Sequence, residues 1–128
     1  MTRRLLPRSV AAAIDRSKIL GVRAGRGSTH RFIGVWPIVL DGRVFARSWT
    51  VTRGGWYRTF LEDPRGTIQV AEREIPVRAV PVRSERLRDR MERAYAEKYP
   101  TPGSRKYVRG FRAARRREAT VEFLAGRS

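Results

Sequence analysis

Two short glycine-bearing segments carry residue types that hold an anion, Arg26-Gly27-Ser28 and Arg53-Gly54-Gly55. An anion is held best by directed N–H groups backed by net positive charge, and each segment sets uncovered backbone amides beside a guanidinium. The same residues also read as ordinary glycine turns with solvated arginines. Ser48, Trp49, Trp56 and Tyr57 offer a second kind of chemistry. Aromatic rings gain from stacking on a flat ligand and a hydroxyl can orient a ring edge, although in a small domain such rings also serve as core.

Other chemistries are poorly supplied. There is no cysteine, which removes thiolate nucleophiles, disulfides and cysteine-ligated zinc, and fits a reducing interior. His30 is the only histidine, so no metal site and no histidine-based triad is expected. The carboxylates fall mostly at helical pairing distance from arginines, which favours ion pairs over an acid/base dyad. Neither a P-loop nor a dinucleotide fingerprint occurs.

The elements that must position these residues follow from periodicity. Ser9 is expected to cap a short helix to about Ser17, followed by a strand from Lys18 to Ala24. The clearest element is a hairpin from about Thr29 to Trp49, turning at Asp41-Gly42, with Gly34 and Pro37 marking a bend in its first arm. On the return arm Val44, Ala46 and Ser48 share one face and Phe45, Arg47 and Trp49 the other. One face is expected in the core and the other against solvent, a partner or a ligand. If Thr29 pairs near Trp49, the two Arg/Gly loops lie at the same end of the hairpin. Trp56 to Glu62 reads as a helix, Thr67 to Ala71 and Ile75 to Val82 as a second hairpin, and Ser84 as the cap of a helix to about Tyr99. A basic segment, Arg105 to Arg117, and a strand, Ala119 to Leu124, complete the chain. Phe32, Val35, Ile38, Val44, Ile68, Val70, Val77, Leu87 and Met91 are expected in one contiguous core.

The 128 residues suit one domain, 1–128, and no internal repeat or linker divides them. The opening residues lack a signal-peptide pattern and no stretch approaches the roughly 20 apolar residues of a membrane span, so a soluble, cytoplasmic protein without membrane partner is expected. The net charge of +17 is shared between the halves, +8 over residues 1–64 and +9 over 65–128. It makes nucleic acid or another polyanion a candidate partner. Arginines and aromatics interleave from Arg105 to Arg117, a pattern that serves single-stranded nucleic acid or, alternatively, packs Tyr107, Val108 and Phe111 on the body while the arginines face water.

From Gly25 to Val82 the chain resembles the flavin-binding split-barrel group, in particular the deazaflavin-dependent nitroreductase-like proteins and an uncharacterised bacterial family related to them. The resemblance is carried by Gly25-Arg26 before the long hairpin, Pro37, Asp41-Gly42, Ala46-Arg47-Ser48, Gly54-Gly55, Trp56-Tyr57 opening a short helix, Asp63-Pro64 and the following hairpin. It implies an α+β fold, a small antiparallel split β-barrel with flanking helices, often a homodimer. It also implies a cofactor, FMN or the deazaflavin coenzyme, lying across the barrel, and hydride-transfer activity in some members. The residues assigned to that cofactor are Arg26, Gly27, Ser28, Arg31, Arg47, Ser48, Trp49, Arg53, Gly54, Gly55, Trp56 and Tyr57. Between Ser48 and Gly54 the chain has Trp49-Thr50-Val51-Thr52-Arg53, where those relatives usually carry a Lys-Gly-Gly run.

Overall fold

The computed structural model describes residues 4–126. Among the described residues seven strands form one antiparallel sheet in the order β2-β1-β5-β6-β7-β4-β3, curled into a nearly closed barrel, and five helices complete an α+β split-barrel fold. The strands are β1 (Leu20–Ala24), β2 (Ile33–Val35), β3 (Pro37–Leu40), β4 (Arg43–Arg47), β5 (Arg65–Val70), β6 (Arg73–Pro81) and β7 (Thr120–Ala125). The helices are α1 (Arg8–Arg16), α2 (Trp56–Glu62), α3 (Glu85–Lys98), α4 (Pro102–Gly110) and α5 (Ala114–Glu118).

The Asp41-Gly42 turn forms as its residue types require. Both residues have positive φ, 53° and 75°, and join β3 to β4 with Leu40 opposite Arg43. The expected hairpin is nevertheless shorter than Thr29 to Trp49. Its first arm breaks at Trp36, before Pro37, which has no N–H to donate. Ile33–Val35 turns away to pair with β1 as an outer strand, while β3 stays with β4. β2 and β3 are thus the two edges of the sheet although a single residue separates them.

Helix boundaries follow local chemistry with one correction. Ser84 caps α3 as expected, its hydroxyl accepting from the Leu87 amide at 3.1 Å. Pro7, not Ser9, stands at the N-cap of α1, and its carbonyl accepts from Val10 and Ala11. Proline is preset for that entry and Ser9 lies within the helix. The first strand begins at Leu20 rather than Lys18. The basic segment forms two short helices, α4 and α5.

The single expected core is two cores, because both faces of β4 are covered. Val44 and Ala46 point into the barrel with Leu20, Val22, Ile68, Val77 and Phe123, and α1 and α2 add Val10, Ile14, Trp56 and Phe60. Phe45 points outward and is buried with Ile38 beneath Met91, Tyr95 and Tyr99 of the α3 region and Val108 and Phe111 of the α4 region. Val35, Val44, Ile68, Val70 and Val77 join the inner cluster and Ile38 and Met91 the outer one, while Phe32 and Leu87 are half-buried. No helix among the described residues is long and apolar enough to cross a membrane.

Candidate functional site

The site grows out of the break at Trp36. As β2 diverges from β3 it opens a cleft of about 290 Å³, walled by Ile33, Gly34 and Val35 on one side and by Trp36, Trp49, Trp56, Tyr107 and Phe111 around it. Its rim is unusually apolar for surface: Ile33 is 49% exposed and Trp49 and Tyr107 are each 40% exposed. β2 is an edge strand, so one side of its backbone has no strand partner among the described residues.

Trp49 is held as a wall. Its ring meets Tyr107 and Phe111 edge-on at 5.2 and 5.8 Å between centroids. The Arg116 guanidinium lies over it at 3.6 Å, while Arg116 Nε donates to the Trp49 carbonyl at 3.0 Å. Gly110 makes this approach feasible, since a Cβ there would stand 2.4 Å from the indole. Trp36 is fixed from behind by Tyr99, stacked at 4.4 Å and 7°.

Arg47 borders the cleft but its cationic end belongs to the interior. The residue is 1% exposed, and its guanidinium donates to Thr120 Oγ1 at 2.9 Å and to the carbonyls of Phe111 at 2.9 Å and Arg88 at 3.2 Å, with Glu92 at 3.5 Å. Burial lowers its pKa from the ordinary arginine value, and Tyr95 and Glu92 oppose that change. Its backbone amide donates to Tyr95 Oη, which donates in turn to the Trp36 carbonyl. Burial raises the Tyr95 phenol, keeping it a neutral donor. Ser48 is buried too, its hydroxyl donating to the Thr50 carbonyl.

Of the residues named from sequence, Trp49, Trp56 and Arg47 line the cleft. Arg31 stands two residues before Ile33, and Arg53 three after Thr50, both exposed beside cleft-lining segments. The two Arg/Gly loops do not share one end of a hairpin. Gly25 donates to the Arg65 carbonyl and Arg26 to Asp63, beyond the C-terminal end of α2, whereas Arg53-Gly54-Gly55 leads into its N-terminal end. Seven helical residues, about 10 Å, separate them. Ser28 accepts from the His30 amide within its own turn, Gly27 is exposed, and Tyr57 reaches the Glu118 carbonyl away from the cleft. Sequence reasoning did not pick out Ile33, Trp36, Tyr107, Phe111, Gly110 or Arg116 for this site. The available signal was Tyr107, Gly110 and Phe111 on one turn of a helix.

Residues 11–123 match a bacterial family described as uncharacterized protein conserved in bacteria, DUF2255. The chain belongs to that family. No curated protein matches this DUF2255 chain. Among solved structures it is similar to a conserved hypothetical protein, Rv2991, of Mycobacterium tuberculosis, at 15% identity and a TM-score of 0.61, covering 98% of this chain and 83% of that one. It is also similar to an FAD-binding protein of Mesorhizobium loti, at 12% identity and a TM-score of 0.57, covering 99% and 95%. A third similar structure, described as a domain-swapped dimer, has 17% identity and a TM-score of 0.53, covering 85% and 79%. At such identities the likeness establishes the shared fold.

Proposed function

We propose that the aromatic cleft of this DUF2255 protein binds the ring system of a flavin or deazaflavin, and that the protein is an oxidoreductase dependent on that cofactor. The observation that carries this reading is the pairing of flat apolar walls, Trp36, Trp49 and Trp56, with the unpaired edge of β2. A tricyclic heterocycle has an apolar face and a hydrogen-bonding rim, and these two surfaces match both. The FAD-binding neighbour supports the same reading.

The residues present fit such a group. Arg53 and Arg31, exposed and within three residues of cleft-lining Thr50 and Ile33, would hold its phosphate, because the Arg47 guanidinium is already bonded within the fold. Arg26 and Gly27 lie beyond the far end of α2 and would serve a longer cofactor tail. When bound, the cofactor would supply hydride transfer, and the chain's part is to hold it, orient it and keep water from one ring face. The domain-swapped neighbour and the apolar rim at Ile33 and Trp49 support a homodimer that covers the cleft.

Fluorescence titration of wild type, Trp49→Ala and Arg53→Gln with FMN and with the deazaflavin coenzyme, at fixed ionic strength, tests the site. Saturable binding weakened tenfold or more in either variant, about 1.4 kcal/mol, is expected. Lack of saturable binding to wild type overturns the reading. Sedimentation at micromolar concentration tests the dimer, and a monomer in moderate salt counts against it.

A further inference from the structure

A second groove, unrelated to the cleft, lies where the first turns of α3 cross the outer face of β6, β7 and β4. In the sheet register Val80, Glu122 and Phe45 are direct neighbours across three strands. Glu122 is 1% exposed, yet it faces a guanidinium: Arg43 donates to its two oxygens through Nε at 2.9 Å and Nη2 at 2.8 Å. This two-point contact fixes the plane of Arg43. Arg86 and Arg90, one helical turn apart on α3, and Arg83 from the β6–α3 connection line the same groove, with Pro81, Val82 and Leu87 as apolar wall, around a volume of about 650 Å³.

The charges do not cancel. Arg43 is matched by Glu122 and Arg90 by Asp41 at 3.0 Å, but Arg83 and Arg86 have no ion pair among the described residues. Two uncompensated guanidiniums therefore share one groove beside an apolar wall. Guanidinium forks match the oxygens of a phosphate, and a phosphomonoester carries about −1.5 to −2 at neutral pH.

We propose that this groove binds a small soluble molecule bearing a phosphomonoester or diphosphate, neutralised by Arg83 and Arg86 with Arg43 and Arg90 flanking it. The proposal shares no residue with the flavin reading and stands or falls apart from it. The probe is sodium pyrophosphate, titrated calorimetrically at constant ionic strength into wild type, Arg83→Gln/Arg86→Gln and Arg105→Gln/Arg109→Gln. The last variant removes the same charge from α4. All four arginines are exposed, and a melting curve of each variant is to match wild type before its binding is compared. One-to-one saturable binding, weakened tenfold or more in the first variant and held within twofold in the second, is expected. Equal loss in the two variants, a loss below tenfold in the first, absence of saturation, or binding of a single-stranded oligonucleotide alone overturns the proposal.

Discussion

Arg47 shows how a residue with functional credentials can be claimed by the fold. Three acceptors on β7, α3 and the end of α4 surround one planar guanidinium, so the side chain ties both covering helices to the barrel. Removing it strands buried carbonyls, and Arg47→Met should destabilise the protein by about 3 kcal/mol in denaturant unfolding. Arg47→Lys should recover less than half of that, since one ammonium cannot reach partners spread around a fork. Full recovery with lysine would show that charge, not geometry, is what matters there. Gly110 presents the opposite case. A methyl group there collides with the movable end of Trp49, so the indole should swing out rather than the fold fail. Gly110→Ala should red-shift tryptophan emission and lower stability by no more than about 1 kcal/mol, the scale of one exposed cation–π contact. Unchanged emission would show that Trp49 keeps its place.

Elements here are joined by short ionic clasps. Arg117 on α5 reaches Glu85, Asp89 and Glu92 along one face of α3, and these partners raise its pKa. That clasp places α5, and so Arg116, against Trp49. The joint between α2 and β5 is held by Asp63, which accepts from the Arg65 amide at 3.1 Å and from its guanidinium at 2.9 Å. The Arg65 hydrogen bonds hold the Asp63 carboxyl down at about 2, below the ordinary 3.8. A carboxyl lowered in the folded state adds stability above its unfolded value, and that contribution is lost as pH falls from about 4 toward 2. Asp63→Asn should therefore flatten this part of the acid limb of a stability–pH curve, with little change at pH 1. An unchanged acid limb would assign the loss to other carboxylates. The exposed position of the pair keeps the effect modest.

At the scale of the whole molecule, 29 basic residues face 12 acidic ones, so most of the cations have no carboxylate to neutralise them. The surplus repels itself across a small body. Raising NaCl from about 50 to about 500 mM shortens the screening length several-fold, and should raise stability by about 1 kcal/mol, roughly 3–5 °C in Tm. A falling Tm would show that the ion-pair clasps outweigh the self-repulsion.

Much of the fold was legible because it rests on local chemistry. Asp41-Gly42 accommodates the positive φ of a tight turn, Ser84 caps a helix with its own hydroxyl, and Trp56 with Phe60 falls at helical spacing. Those signals need no distant partner. The site was legible only in part, since Trp49 and Trp56 stand out by type while the residues opposite them do not. Alternation in β4 showed that Val44 and Phe45 point to opposite faces, but not that α3 and α4 would cover the second face and turn Arg47 inward. The departure of β2 from its hairpin was likewise decided by pairing with β1, a contact between segments more than ten residues apart. The sequence by itself determined the Asp41-Gly42 turn, the Ser84 cap, the opposed faces of β4 and the charge of this protein. The tertiary structure alone decided which arginines are bonded within the fold and which still face a groove, because a guanidinium's partners are set by packing between elements far apart in the chain.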